Sequence, residues 1–131
     1  MKEPRFDRDY KFGRQGEILV DNVLEWIAAG DSRVEVKTLR DPDYVWMVEV
    51  EQNAFNRGVW RPSGIRVTES EWQAVVLGDP RTPNGIVFLP TATVLAEADR
   101  LEAKFGTKLC GTDGDNPTKC VRADIKKLLG W

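Results

Sequence analysis

Two runs of alternating side chains, RVEVKTL at 33–39 and VWMVEVE at 45–51, flank the short segment Arg40-Asp41-Pro42-Asp43-Tyr44. β-branched residues and period-two alternation make each run a strand. The Asp-Pro-Asp connection carries turn chemistry, so a hairpin is expected. Alternation puts Glu35 and Lys37 on one face of the first strand, and Met47, Glu49 and Glu51 on one face of the second. A symmetric turn then pairs Leu39 with Val45, Lys37 with Met47 and Glu35 with Glu49. That register brings two carboxylates opposite each other, with Cβ atoms about 5 Å apart. Such a pair needs a shared proton, a nearby ammonium such as Lys37, or a divalent cation. The same E-x-K spacing is also what an ordinary solvated sheet face carries.

Around these strands the chain reads as one domain, 13–131, behind a charged arm at 1–12. Residues 13–30 fit a helix whose apolar stripe is Val20, Val23, Leu24, Ile27 and Ala28, with Glu17 at its edge. Residues 53–62 read as a loop, and Thr68-Glu69-Ser70-Glu71 as a capping box opening a helical turn. Residues 74–77 and 86–89 are expected as buried strands. A helix capped by Thr91 or Thr93 should run to about Phe105, with Val94, Leu95, Ala98 and Leu101 inward. Residues 106–119 read as loop and 120–125 as a last strand. The fold class is therefore α/β, a mixed sheet flanked by helices.

The composition excludes several chemistries. The chain contains no histidine, which removes His-assisted nucleophiles, His-rich zinc sites and histidine proton shuttling. Proton transfer would fall to carboxylates, lysine, tyrosine or metal-bound water. Two cysteines, Cys110 and Cys120, make neither a disulfide framework nor a tetrahedral metal set. With no apolar run near the roughly 20 residues of a membrane span, a cytoplasmic protein and no membrane partner are expected. A net charge of −2 argues mildly against a nucleic-acid partner, although charge distribution matters more than the total.

Glu35-Val36-Lys37, following a helix that carries Gly16-Glu17, resembles the (D/E)xK half of the PD-(D/E)xK nuclease superfamily, the restriction-endonuclease-like group. More narrowly, Gly13-Arg14-Gln15-Gly16-Glu17, Val34-Glu35-Val36-Lys37, Val48-Glu49 and Trp60-Arg61-Pro62-Ser63-Gly64-Ile65 resemble small phage-encoded members. Thr68-Glu69-Ser70-Glu71-Trp72, Leu89-Pro90-Thr91 and Gly114-Asp115-Asn116-Pro117-Thr118-Lys119 extend the likeness over most of the chain. The resemblance implies a core of helix, antiparallel meander, helix and strand, and Mg²⁺-dependent DNA cleavage, with Mn²⁺ able to substitute. It makes Glu35 and Lys37 the (D/E)xK pair and Glu17 the helix-borne acid. Glu49 or Asp31 would be the remaining metal acid. Resolvase-like members imply branched DNA as substrate, a homodimer, and the host-cell cytoplasm for a phage-encoded chain.

Arg61, Ser63, Thr68 and Lys119 are candidate phosphate contacts. A competing register reads Pro42-Asp43 with Glu49-Val50-Glu51 as PD…ExE. The alternatives are a catalytically inactive nuclease-fold module that binds DNA or protein, and hydrolysis of RNA or nucleotides at the same site.

Overall fold

The computed structural model describes residues 5–111 and 116–130. Its elements are α1 (Arg5–Ala28), β1 (Val34–Leu39), β2 (Val45–Gln52), β3 (Arg61–Pro62), β4 (Trp72–Leu77), β5 (Gly85–Pro90), α2 (Thr91–Phe105), β6 (Lys108–Cys110), β7 (Thr118–Asp124) and α3 (Ile125–Leu128). Short 3-10 turns occupy Ala54–Asn56 and Gly64–Arg66. The strands form a three-stranded sheet, β1-β4-β5, and a four-stranded sheet, β3-β2-β7-β6. The protein is mixed α/β with sheets flanked by helices. Among the described residues no helix is long and apolar enough to cross a membrane.

The expected hairpin does not form. β1 runs parallel to β4, with Glu35 beside Gln73 and Lys37 beside Val75, while β2 runs antiparallel to β7 and β3. Glu35 and Glu49 are therefore not cross-strand partners, and the consecutive strands β1 and β2 make no meander. Two local features explain the separation. Tyr44 takes a left-handed backbone (φ 52°) that turns the chain away from β1, and its hydroxyl accepts a hydrogen bond from Asn84 Nδ2 at 2.9 Å. β4 is the better partner for β1, because its WQAVVL run is apolar on both faces and suits a central strand. Gln73, Val75 and Leu77 of β4 share a face with Glu35, Lys37 and Leu39.

The core lies where Val75, Leu77 and Leu89 of the first sheet meet Trp46, Val48, Val50, Val121 and Ala123 of the second. Val94, Ala98 and Leu101 of α2 and Ile125 of α3 complete it, so the inward face expected of residues 91–105 is the buried one. Burying a Val or Leu side chain contributes about 1.5–3 kcal/mol, and Val50 and Val75 are wholly inaccessible.

Other expectations change. The helix begins at Arg5, so residues 5–12, read as an arm, continue α1; residues 1–4 lie outside the described residues. Of the stripe expected on α1, Val23 is buried, whereas Val20, Leu24 and Ile27 are exposed. Residues 68–71 open no helix: the Ser70 amide donates to Thr68 Oγ1 at 3.2 Å, a local hydroxyl turn in place of a cap. Thr91 begins α2, but its hydroxyl accepts from Gln73 Nε2 instead of capping.

Cys110 and Cys120 are joined by a disulfide between the neighbouring strands β6 and β7, a pairing that the cysteine count did not foretell. The bond closes a sequence separation of 10 residues. A loop of that length restricts the unfolded chain by about 2–3 kcal/mol. Urea unfolding with and without dithiothreitol should show a loss of that size on reduction; coincident midpoints would mean that the bond adds no stability.

Candidate functional site

Glu35 and Lys37 project from β1 on the face that also holds Gln73 and Val75. β1 is an edge of its sheet. In the other sheet, β3 pairs with β2 only at Glu51 and Gln52. Where the two sheets part, a cleft of about 300 Å³ is lined by Glu35, Lys37, Met47, Glu49, Gly64 and Gln73 among others. Glu35, Lys37 and Glu49 thus converge, though not through the register expected for them.

Glu35 is the best-supported of the three. The Lys37 ammonium lies 2.8 Å from its Oε1. Its Oε2 accepts from Thr68 Oγ1 at 3.2 Å and from Gln73 Nε2 at 3.5 Å. Burial opposes the charge on Glu35. The Lys37 ammonium, by hydrogen bond and by charge, outweighs that penalty together with the Thr68 and Gln73 donors, and the carboxyl is held below its ordinary range. The group therefore stays ionised further into acid than a free glutamate does. Thr68, expected as a phosphate contact, donates its hydroxyl to Glu35 in this structure.

Gln73 is fully buried. Its Nε2 also donates to Thr91 Oγ1 at 3.1 Å, while its Oε1 is buried with no partner. A buried unpartnered carbonyl oxygen costs about 1–3 kcal/mol, and Gln73 is among the residues that line the cleft. Sequence reasoning passed over Gln73, although a glutamine inside the apolar WQAVVL run is a visible signal.

Glu49 is placed by a bulge and a glycine. Pairing between β2 and β7 slips between Glu49 and Glu51, and a bulge of this kind re-aims the side chains beside it. Gly64 then packs on Glu49 in a left-handed conformation (φ 55°). A Cβ on Gly64 would lie 2.4 Å from the Glu49 carbonyl oxygen and 2.7 Å from the Glu49 Cβ. Only glycine suits that approach. Ser63, just before it, is buried, with its amide donating to the Val50 carbonyl at 3.0 Å.

The other sequence-derived candidates lie apart from the cleft lining. Glu17 is 67% exposed and bound to Arg14 at 2.9 Å. Asp31 takes a two-pronged contact from Arg33, at 3.1 Å to Nε and 2.7 Å to a terminal nitrogen. That hydrogen bonding holds the Asp31 carboxyl below its usual range. Asp43 accepts from the Val45 amide within its turn. Arg61 is exposed on β3, opposite Gln52, and the Lys119 ammonium rests 4.3 Å from the centre of the Trp60 ring. The Gly114-Asp115 part of the resemblance lies outside the described residues.

Among the described residues no group of three or more Asp, Glu, Cys or His comes together as a metal site. What the cleft offers is the two carboxylates of Glu35 and Glu49, both hard oxygen donors. This set fits Mg²⁺, which commonly takes one or two protein carboxylates and completes its shell with water and phosphate oxygens. It does not fit a soft or cage-bound ion. A larger cavity of about 430 Å³ lies between α2, β7 and α3. Its acids are engaged elsewhere: Glu97 holds Arg100, and Asp124 accepts from the Lys126 amide at 2.9 Å.

Two outcomes are expected. Gly64→Ala should lose at least about 2 kcal/mol in urea unfolding, from overpacking plus a strained backbone; an unchanged midpoint would contradict the contact with Glu49. Because the folded Glu35 value lies below the unfolded one, its contribution to stability is present above the ordinary glutamate range. It is lost as pH falls through the depressed value. Carboxyl NMR titration should show Lys37→Met moving the Glu35 transition upward; no movement would remove Lys37 as its main partner.

Protein-family profiles, curated proteins and solved structures give this chain no match, so what bears on function is the chemistry of the cleft itself.

Proposed function

We propose that this chain is a Mg²⁺-dependent phosphodiesterase of the PD-(D/E)xK type that cleaves DNA at the cleft between its two sheets. The observation that supports the reading most is the meeting of Glu35, Lys37 and Glu49, from different sheets, around one opening. Topology did not require that meeting. Clustering like charges costs stability, and a fold with no use for them has no reason to gather them.

Glu35 and Glu49 would hold the cation, with Gln73 beside them. When bound, the cation polarises a phosphoryl oxygen and makes water more acidic. Glu35 stays anionic because Lys37, Thr68 and Gln73 hold it so. The Lys37 ammonium is fixed beside Glu35 and is aimed at a phosphate held at the same spot, where it counters charge that builds up as water attacks. Thr68 and Gln73 act through Glu35. Glu17 and Asp31 have no part in this mechanism.

The hold that Lys37, Thr68 and Gln73 already have on Glu35 favours a second reading, a non-catalytic module that binds nucleic acid or protein through the same fold. The two separate cleanly. Linear, nicked, single-stranded and four-way-junction DNA should be cut with Mg²⁺ or Mn²⁺ and spared with chelator. Glu35→Gln and Glu49→Gln should each lower the rate by at least about 100-fold. Calorimetry should detect Mg²⁺ binding that Glu35→Gln weakens. Cleavage that survives chelator would sink the mechanism; no cleavage and no cation binding would favour the module.

A further inference from the structure

Beyond the cleft, β2 runs directly into a loop whose shape is costly to maintain. Phe55 holds a left-handed backbone (φ 57°, ψ 21°) while its side chain is 68% exposed. That conformation costs about 1–3 kcal/mol for a bulky residue, and a ring left in water recovers little of it by burial. The surrounding contacts over-determine it. The Phe55 amide donates to Asn116 Oδ1 at 2.9 Å. Asn53 is buried; its amide donates to the Pro117 carbonyl at 2.9 Å, and its Oδ1 accepts from the Gly58 amide at 3.0 Å. The loop is thereby tied at its base and pinned to the chain entering β7.

The side chains on this loop and on the strands beside its base form one pattern. The Arg57 guanidinium lies 5.3 Å from the Phe55 ring centre, and the Lys119 ammonium 4.3 Å from that of Trp60. Arg61 is exposed next to Trp60 in sequence. Glu51 is the acid on the adjoining stretch of β2, and it pairs across the sheet with Lys119. Aromatic rings interleaved with cations are the pattern that holds unstacked bases and their phosphates. The loop's base adjoins the cleft, because Gln52 pairs with Thr118, which lines it. From Glu49 to Asn53 the chain rises roughly 13 Å along the strand, about four base steps of 3.4 Å.

We infer that Phe55 is a stacking platform for an unpaired nucleobase, with Arg57, Arg61 and Lys119 receiving the adjoining phosphates. This rests on the phosphodiesterase reading and narrows it. The substrate class is DNA with unpaired or unstacked bases near the scissile bond, not a continuous duplex. The rigid presentation of Phe55 reduces the ordering cost when a base docks.

The test uses the full chain in chelator, so that nothing is cut. Fluorescence anisotropy compares a labelled single strand with a blunt duplex of the same sequence. A 2-aminopurine base in the strand reports stacking directly. Wild type should prefer the single strand and quench the probe. Phe55→Gly keeps the left-handed backbone and removes only the ring. It should weaken single-strand binding by about 5- to 100-fold and abolish the quench, without lowering the unfolding midpoint. Phe55→Tyr should restore both. Equal quenching in Phe55→Gly, or a duplex bound as tightly as the single strand, would overturn the inference. If wild type still cuts DNA with Mg²⁺ while Phe55→Gly binds normally, the platform fails and the phosphodiesterase stands. If binding depends on Phe55 but no metal-dependent cleavage occurs, the platform stands and the phosphodiesterase fails.

Discussion

A half-buried carboxylate facing inward from a sheet is tolerated only when its charge is answered on the spot, and Glu35 shows what that requires. An ammonium on the same strand, a hydroxyl from the turn that leads into β4 and a buried amide from β4 all act on it. The amide is itself held by Thr91 at the start of α2. β1, the turn before β4 and β4 itself thus meet at one acidic side chain, and Gln73 carries the connection on to α2. The parallel pairing of β1 with β4 is what makes the arrangement reachable, since it seats Gln73 directly beside Glu35. In the hairpin that the turn chemistry favours locally, Gln73 would have no such neighbour.

Strand and helix identities were legible because periodicity is a local signal. The residues expected as strands at 74–77 and 86–89, and as a helix ending near Phe105, take those forms with small changes of boundary. Pairing was not legible. A short Asp-Pro-Asp connection reads the same whether the chain folds back or crosses to another sheet, and the left-handed Tyr44 that decides between them is a tertiary outcome. Glu35, Lys37 and Glu49 were named from alternation, and alternation does put Glu35 and Lys37 on one face. Their meeting with Glu49 comes from the opening between sheets instead of a ladder. Glu17 lies apart from the cleft lining because the stripe beside it is not core: α1 buries Val23 and exposes Val20, Leu24 and Ile27. Asp31 is instead engaged by Arg33, two residues on in the same loop.

The charge balance illustrates why totals mislead. A net charge of −2 speaks against nucleic acid, yet many acids here are spent on local arginines: Asp31 on Arg33, Asp79 on Arg81, Glu97 on Arg100, and Asp99 and Glu102 on Arg66. These contacts are mostly exposed and contribute little to stability. What they do is pair acids with arginines locally, so that the remaining charges are read place by place: Glu35, Lys37 and Glu49 at the cleft, and Arg57, Arg61 and Lys119 on the loop and strands beyond it. Distribution, not sum, decides what an approaching polyanion meets.

β2 ties these features into one mechanical unit. Its buried face, Trp46, Val48 and Val50, is fixed in the core, so the strand cannot slide. The slip in pairing between Glu49 and Glu51 changes the side-chain phase once, at the point where the strand leaves the core. Before the slip the strand serves the acid cleft, and after it the strand serves the loop that carries Phe55. Gly64 closes over the backbone at Glu49 from the other side, so the glutamate is held between a bulge and a glycine. An acid and an aromatic ring separated by a few residues of immobilised strand keep a constant spacing, which a flexible linker would not maintain. On that account a ligand long enough to reach both would be read as one object, and the rigidity of the core beneath β2 would set the distance it must span.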